Sequence, residues 1–407
     1  MPIKVLIAAA GTGGHIFPGI AVAKEFRRRD PDAEIVFVGT SAGLETKIVP
    51  REGFELELID IAGLARVGLR AMLRTVLRRL PKSLFQSWRL LRRRRPDLVI
   101  GIGGYVSGPV VLAAVLCGIP TMIIEPNVSP GLTNRILGRL VCRAAVSFPQ
   151  TLASFGDKGR LTGNPVRPEF FACAEASRPL AATTRRHLLV FGGSQGAHAI
   201  NQVMVEALPI VYRRLTNERP DLELTVTHQT GERDYASVRA SYEHLGLGDR
   251  VQTVVFIDRM AQEFARADLI ISRAGATTIA ELTAAAKPAI LIPLPTAADD
   301  HQRKNAEALQ RAGAARCLLQ AEATAERLAE EILTLIADPE KLRAMSEASR
   351  KLATPDAAAR IVDLAYDVLK SGARDSTRAA SATPDRPAVR CLATAWIAAL
   401  IVVGAMG

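Results

Sequence analysis

Five short stretches of the chain combine glycine or a strand end with side chains able to do chemistry. Gly11-Thr12-Gly13-Gly14-His15 follows an apolar run at residues 3–8 and opens a helical stretch. Glycines let the backbone approach a ligand closely, and a helix N-terminus offers N–H groups to an anion. His15 stands where such a ligand would lie, with a pKa range suited to accepting a proton; a purely structural histidine fits the position equally well. The dinucleotide fingerprint G-x-G-x-x-G is not met, because Ile16 fills its sixth position. Gly192-Gly193-Ser194-Gln195-Gly196-Ala197 repeats the arrangement with a hydroxyl and an amide within reach of phosphate oxygens, although no Lys-Ser/Thr follows as in a Walker A loop. A third junction, Ser272-Arg273-Ala274-Gly275, leads into Ala276, Thr277, Thr278, Ile279, Ala280 and Glu281. Its first helical turn can present N–H groups to a diphosphate, and Glu281 one turn later can accept hydrogen bonds from the vicinal hydroxyls of a ribose; a solvated surface glutamate is the alternative. The polar cluster Asp299-Asp300-His301-Gln302 with Asn305 suits a polyhydroxylated sugar better than a metal, and no metal site is expected. Glu125-Pro126-Asn127 ends an apolar run, either facing a ligand or capping the next helix.

These groups need elements to hold them, and the pattern supplies one design twice. Apolar runs at residues 3–8, 34–39, 98–102 and 121–124 alternate with helical stretches, the first expected over 18–28. The pattern restarts at 187–191 and continues at 222–226, 251–256, 269–272 and 289–292. Such alternation predicts an α/β protein with parallel sheets covered on both faces. Two halves join near Asn164-Pro165-Val166-Arg167-Pro168, and the ligand is expected in a cleft between their Gly-rich loop edges. Helices are expected over 341–352 and 356–370, then a disordered linker over 371–390 and an uncharged apolar tail over 391–407. Seventeen residues in that tail, at ~1.5 Å each, fall short of a ~30 Å hydrocarbon core.

Composition fits a globular chain: 407 residues, 48% hydrophobic and 23% charged. The net charge of +11 is local, since residues 64–95 carry 11 basic side chains and no acid while the rest balances at 41 against 41. Within that stretch Leu69, Met72, Leu73, Val76, Leu77 and Leu80 recur at helical spacing, Pro81 is expected to interrupt, and Leu84, Phe85, Trp88 and Leu91 repeat the theme. An amphipathic segment of this kind suits an anionic bilayer, through Leu73, Leu77, Phe85, Trp88, Arg92 and Arg93, unless its apolar face packs on the core. One interleaved aromatic pair is poor support for nucleic acid. Five scattered cysteines with no C-x-x-C pair argue against a disulfide framework or zinc site. The first apolar run is too short for a signal peptide, and a reducing cytoplasm fits.

Taken together, the motifs resemble the MurG family, the peptidoglycan N-acetylglucosaminyltransferases that convert lipid I to lipid II. The resemblance spans residues 2–370: GTGGHIFPGIAVA from Gly11, GGYVSGP from Gly103, Glu125 to Asn127, GLTN from Gly131, GNPVR from Gly163, GGSQGA from Gly192, RAGATTIAEL from Arg273 and DDHQRKNA from Asp299. It implies a GT-B glycosyltransferase fold, two Rossmann-like domains facing a central cleft. The implied divisions are 1–165 for the acceptor and membrane, 166–345 for the nucleotide sugar, 346–370 as C-terminal helices returning to the first domain, and 371–407 as linker and tail. By resemblance, Ser194 touches the diphosphate, with Gln195 as a further candidate, and Arg167 lies beside the nucleotide. Ile257 offers backbone to uracil, and Ala276 to Glu281 hold phosphate and ribose. Gln302 binds the sugar, with His301 as an additional candidate. Thr12, Gly13, Gly14 and Asn127 close the site from the acceptor side, with Glu125 as a further candidate, and His15 matches the general base. Ala10 and Pro126 replace the family's usual Gly and Gln, and the tail has no family counterpart.

The implied reaction is inverting transfer of N-acetylglucosamine from UDP-N-acetylglucosamine to the C4 hydroxyl of N-acetylmuramic acid in undecaprenyl-linked lipid I, without a cofactor. The implied setting is peripheral, at the cytoplasmic face of the bacterial inner membrane, with cell-wall or division proteins as partners and no nucleic acid. Two other classes compete: a UDP-N-acetylglucosamine 2-epimerase on a similar scaffold, and a membrane-binding module with a vestigial nucleotide site.

Overall fold

The computed structural model describes residues 2–11, 13–61, 69–175, 184–193 and 196–379, by backbone alone at 69–80, 175 and 372–379. Among these, the residues up to Pro165 together with those from Asp356 form one compact unit, and Val166–Pro355 form another.

The first unit contains β1 (Lys4–Ala8), α1 (Gly13–Arg29), β2 (Glu34–Gly39), α2 (Glu45–Arg51), β3 (Glu55–Leu58), α3 (Leu69–Arg94), β4 (Leu98–Gly101), α4 (Gly104–Leu116), β5 (Thr121–Glu125), α5 (Leu132–Leu137), β6 (Arg143–Val146) and β7 (Gly159–Leu161). Its strands form one parallel sheet in the order β3-β2-β1-β4-β5-β6-β7. Alternation along the strands sends Val5, Ile7, Phe37 and Ile100 to one face, against Ile16, Ile20 and Phe26 of α1. Leu6, Ala8, Val38 and Val99 go to the other face, against Val106 and Val110 of α4 and Leu90 and Leu91 of α3. With both faces covered, nearly every strand position must be apolar, which explains the unbroken apolar runs.

The second unit contains α6 (Pro168–Glu175), β8 (Arg185–Phe191), α7 (His198–Glu218), β9 (Glu223–Gln229), α8 (Glu232–His244), β10 (Val251–Val254), α9 (Met260–Arg266), β11 (Leu269–Ser272), α10 (Ala276–Ala284), β12 (Ala289–Leu291), α11 (His301–Arg311), β13 (Ala315–Cys317), α12 (Ala325–Ile336) and α13 (Pro339–Lys351). Its parallel sheet runs β10-β9-β8-β11-β12-β13. Leu188, Val190, Val226 and Ile271 pack against Met204 and Val211 of α7 and Ile332 of α12.

In both sheets the chain moves outward in one direction, then returns beside its first strand and moves the other way. The reversal lies between β1 and β4 in the first unit and between β8 and β11 in the second. Loops leaving the carboxyl ends of such strand pairs diverge and open a crevice, where ligands of doubly wound sheets bind. The four Gly-rich stretches at Gly11, Gly103, Gly192 and Gly275 leave these four strands.

The last helix, α14 (Ala357–Ala379), belongs to the first unit. Ile361, Val362, Leu364, Ala365 and Val368 join the α1 face of its core, and the Tyr366 ring lies 5.9 Å from that of Phe26. Arg29 pairs with Asp363 and donates to the Ala359 carbonyl at 2.9 Å.

Several expectations change. A cut at 345/346 would sever α13, which stays with the second unit through Leu342 and Met345, so the chain changes units at Pro355. Residues 371–379 continue α14 and are not a linker; the apolar tail at 391–407 lies outside the described residues. Pro81 does not break α3: one helix runs through it, the missing N–H falling at an exposed position. α1 begins at Gly13, five residues ahead of Pro18. β10 stops at Val254, opposite the end of β9, which releases Phe256 and Ile257 from the ladder.

Candidate functional site

In the first unit the early start of α1 puts His15 in its first turn. Its Nδ1 lies 3.3 Å from the Ala10 carbonyl oxygen. With the proton on that nitrogen, Nε2 carries the lone pair that a general base needs. Ala10 meets His15 through its carbonyl, while its methyl group is buried in the core on the α4 side of the sheet. The β4–α4 turn passes beside the imidazole on two glycines with φ of 86° and 74°. A Cβ on Gly103 would stand 3.2 Å from Nε2, and one on Gly104 3.1 Å from the Ala10 carbonyl. Glycine meets both the conformation and the close approach. Ser107 Oγ reaches the carbonyls of Ala8 and Gly103 at 2.9 and 2.6 Å, fastening this turn to the end of β1. Gly13 and Gly14 share the first turn with His15, whereas Thr12 lies outside the described residues.

Beneath the same loop sits a carboxylate that the sequence reading missed. Glu45 is fully buried at the start of α2 and accepts from the Gly11 N–H at 3.0 Å, the Thr40 N–H at 2.8 Å and the Thr40 hydroxyl at 2.9 Å. No local periodicity marks it out.

Glu125 turns inward. One oxygen accepts from the backbone and side-chain N–H groups of Asn127 at 3.0 and 3.1 Å. The other accepts from Gly131 N at 3.1 Å and Asn134 Nδ2 at 2.9 Å. Burial raises its pKa despite those donors. With both oxygens engaged, Glu125 organises the loop that presents Asn127 and does not itself offer a contact. Asn127 is half-buried, and its carbonyl accepts from Thr151 Oγ1 at 3.1 Å.

In the second unit, α10 starts at Ala276. The N–H groups of Thr277 and Thr278 fall in the first turn, where a helix supplies no partner, whereas the Ile279 N–H already donates to Gly275 at 2.9 Å. Ile279 and Ala280 are buried and present no side chain outward. The Thr277 hydroxyl is buried with no hydrogen-bond partner among the described residues. One turn on, Glu281 Oε1 lies 3.4 Å from the Arg167 guanidinium, which stands 3.4 Å from Glu169 and 4.9 Å from the Phe170 ring centroid. Burial pushes the Glu281 pKa up to about 7, because the pull of Arg167 does not offset desolvation.

Two residues of the expected stretches, Arg273 and Asn305, turn inward and lock this junction. Arg273, its pKa lowered by burial, donates to the carbonyls of Ile292 and Pro293 at 3.0 and 3.1 Å and to Gln320 at 2.7 Å. Buried Asn305 donates to Ala274 at 3.2 Å. Gln302 accepts from Leu294 N at 3.0 Å through Oε1, which leaves its NH2 to donate. His301 Nδ1 is 2.6 Å from the Ala298 carbonyl. Asp299 and Asp300 adopt φ of 51° and 54°, but no three His, Cys, Asp or Glu side chains gather as a metal cluster among the described residues.

Ser194 and Gln195 lie outside the described residues; of the residues that flank them, Gly196 N donates to Gly193 O at 3.0 Å. Buried Gln229, also unforeseen, donates to Gly193 O at 2.9 Å and accepts from Ile257 N at 3.2 Å.

Helix α3 divides its side chains. Ser83, Ser87, Leu90 and Leu91 are buried. Phe85 and Trp88 point out, 59% and 39% exposed, with ring centroids 5.7 Å apart and the Arg92 guanidinium 5.7 Å from the Trp88 centroid. Arg93 is exposed and donates to Glu57 at 2.6 Å, and Arg94 pairs with Glu55 and Glu57. No described carboxylate pairs with Arg89 or Arg92. The side chains of Leu73 and Leu77 lie outside those described. No described helix is long and apolar enough to cross a membrane.

Comparison with known proteins places this geometry. The glycosyltransferase family 28 N-terminal domain matches residues 5–146, and the family 28 C-terminal domain matches 187–361. The UDP-N-acetylglucosamine--N-acetylmuramyl-(pentapeptide) pyrophosphoryl-undecaprenol N-acetylglucosamine transferase of Anaeromyxobacter sp. (strain Fw109-5) is 46% identical over 369 residues, 90% of this chain and 94% of that one. The same-named protein of Myxococcus xanthus (strain DK1622) is 45% identical over 370 residues, 90% of this chain and 93% of its own. The crystal structure of Acinetobacter baumannii MurG superposes with a TM-score of 0.71 at 33% identity, covering 90% of this chain and all of that one. A putative UDP-N-acetylglucosamine 2-epimerase from Listeria monocytogenes gives a TM-score of 0.65 over 89% of this chain and 95% of that one, but at 15% identity it shares the fold alone. With both domains of family 28 matched and relatives 45–46% identical over nine-tenths of its length, the chain belongs to the MurG family of glycosyltransferases.

Proposed function

We propose that this chain transfers N-acetylglucosamine from UDP-N-acetylglucosamine to the C4 hydroxyl of N-acetylmuramic acid in lipid I, giving lipid II and UDP. The observation that carries the reading is the α10 junction of the second unit. First-turn N–H groups, a buried Thr277 hydroxyl with no partner among the described residues and Glu281 one turn later form a receptor for a phosphorylated ribose. It occurs in a chain nearly half identical to transferases named for that reaction.

The chemistry is a single displacement. The acceptor oxygen forms a bond to the anomeric carbon as the bond to the diphosphate breaks, inverting configuration to a β1→4 linkage. His15 Nε2 takes the hydroxyl proton, with Nδ1–H held by Ala10. The bonding pair leaves on the diphosphate, whose charge is stabilised by the N-termini of α7 and α10 and by Arg167, without a required metal. Arg167 and Glu281 hold the nucleoside, Gln302 donates to a sugar hydroxyl, and Asn127, Gly13 and Gly14 serve the acceptor. Ser194 and Thr12 are assigned by family likeness. Phe85, Trp88, Arg89 and Arg92 rest on an anionic bilayer at the cytoplasmic face of the inner membrane, where the lipid-linked acceptor resides.

The test is incubation of the protein with labelled UDP-N-acetylglucosamine and a lipid I analogue, with and without a chelator. UDP and a disaccharide product appear in both arms if the reading holds. Turnover of the nucleotide sugar without acceptor would favour an epimerase, and absence of donor binding a vestigial site.

A further inference from the structure

We propose that Glu169 is a positioning residue that acts through Arg167, drawing one arm of the guanidinium away from Glu281 and the donor and so holding the affinity for UDP down; this rests on the donor-site reading above. Arg167 lies between two carboxylates: Nη1 is 3.4 Å from Glu169 Oε1, and Nη2 is 3.4 Å from Glu281 Oε1. Both separations exceed the about 2.7–2.9 Å of a full charge-assisted hydrogen bond, so the two acids share the guanidinium and neither captures it. Their settings differ, the Glu281 side chain being 12% exposed and that of Glu169 51%. Glu169 stands in the first turn of α6, where an acid favours the helix dipole. That role needs no partner, whereas here the carboxylate faces the same cation that meets Glu281.

Glu169 is not needed to orient Arg167. The guanidinium carbon lies 4.9 Å from the centroid of the Phe170 ring, which is fully buried and meets Phe264 edge-on at 5.0 Å. Phe264 in turn lies 5.8 Å from Phe191 at the end of β8. This aromatic stack anchors the cation, so what Glu169 adds is charge. One guanidinium against two carboxylates leaves a negative charge beside a site that takes an anionic diphosphate. Glu281 feels the same competition: burial raises its pKa most, Arg167 opposes the rise, and Glu169 adds to it. The other described helices packed on α10 meet it or its junction through uncharged groups. α11 does so through Asn305, and α13 through the Ser346 and Ser349 hydroxyls on the Ala286 and Leu282 carbonyls. Arg303 of α11 pairs with Asp300 and Glu307, and Arg350 of α13 donates to the Ala174 carbonyl. Lys287, just past α10, donates to the carbonyls of Ala265 and Ala267.

The experiment compares wild type with Glu169→Gln, Glu169→Ala and Glu169→Asp, each checked for a cooperative thermal melt. UDP binding is measured by calorimetry, donor and acceptor KM by steady-state kinetics with a soluble lipid I analogue, and stability by ligand-free melts across pH. Glu169→Gln and Glu169→Ala remove the charge. Both should bind UDP about three- to fivefold tighter and lower the donor KM by a similar factor, with the acceptor KM unchanged. The pH at which the donor KM falls should move down by about half a unit in both. In ligand-free melts, the loss of stability that Glu281 imposes between ~4.3 and about 7 should level off at a lower pH. Glu169→Asp keeps the charge and should restore the wild-type values. Unchanged or weaker UDP binding in folded Glu169→Gln and Glu169→Ala overturns the proposal, as does a Glu169→Asp that behaves like them. Unshifted melts overturn the competition between Glu169 and Glu281. Wild type that binds no UDP overturns the donor-site reading, and the effect on affinity with it.

Discussion

Glu281 carries its carboxylate 3.4 Å from the Arg167 guanidinium, yet its proton is held up to about 7 by burial. The folded state therefore keeps a proton that the unfolded chain, titrating at ~4.3, gives up earlier. The stability this supplies is complete below ~4.3 and is lost as pH rises through about 7. Glu281→Gln should stabilise the protein at pH 8 by on the order of 1–3 kcal/mol, with the difference shrinking toward pH 5 in thermal melts.

The same group predicts a pH profile for the donor. Only the ionised carboxylate accepts from both ribose hydroxyls without offering a competing proton. Donor KM should fall as pH rises from about 6 to 8, and Glu281→Gln should raise KM by roughly 10–100-fold and flatten the profile. A wild-type KM independent of pH over that interval would contradict the ribose assignment.

His15 should govern the chemical step. His15→Ala is expected to lower kcat by about 10²–10⁴ while donor affinity, measured by calorimetry, stays within about threefold. Collapse of donor affinity with turnover preserved at saturation would remove His15 as the base.

Glu45 never meets a substrate in this account, yet its loss should be felt. Glu45→Gln turns an NH2 toward donors that need an acceptor, at a cost of about 1–3 kcal/mol in a denaturant titration. Because the Gly11 N–H is one of those donors, the variant should also raise the acceptor KM and leave the donor KM unchanged.

The exposed pair on α3 offers the last test. Phe85→Ser with Trp88→Ser should reduce binding to anionic vesicles at least tenfold, and Arg92→Gln should remove about 1 kcal/mol more. Turnover on a soluble acceptor should hold within about twofold. Equal partitioning of the double variant would place membrane contact elsewhere.

The strands, the Gly-rich turns and the places of His15 and Glu281 just beyond those turns were legible in the chain because their signals are local. A strand covered on both faces must be apolar throughout, and a tight turn against a ligand must be glycine. Local signals also misled. Pro81 looked like a break, but α3 runs through it with the missing N–H at an exposed position. The apolar repeat of α3 looked like one surface, but Leu90 and Leu91 face the core while Phe85 and Trp88 face out.

What only the tertiary structure decided are the polar groups that act at a distance along the chain. Glu45 meets Gly11 across 34 positions, and Gln229 meets Gly193 across 36 and Ile257 across 28. No periodicity links such residues. They come together because parallel strands return to the same edge of a sheet only after a helix has crossed over, so the loops at a switch point are neighbours in space and strangers in sequence.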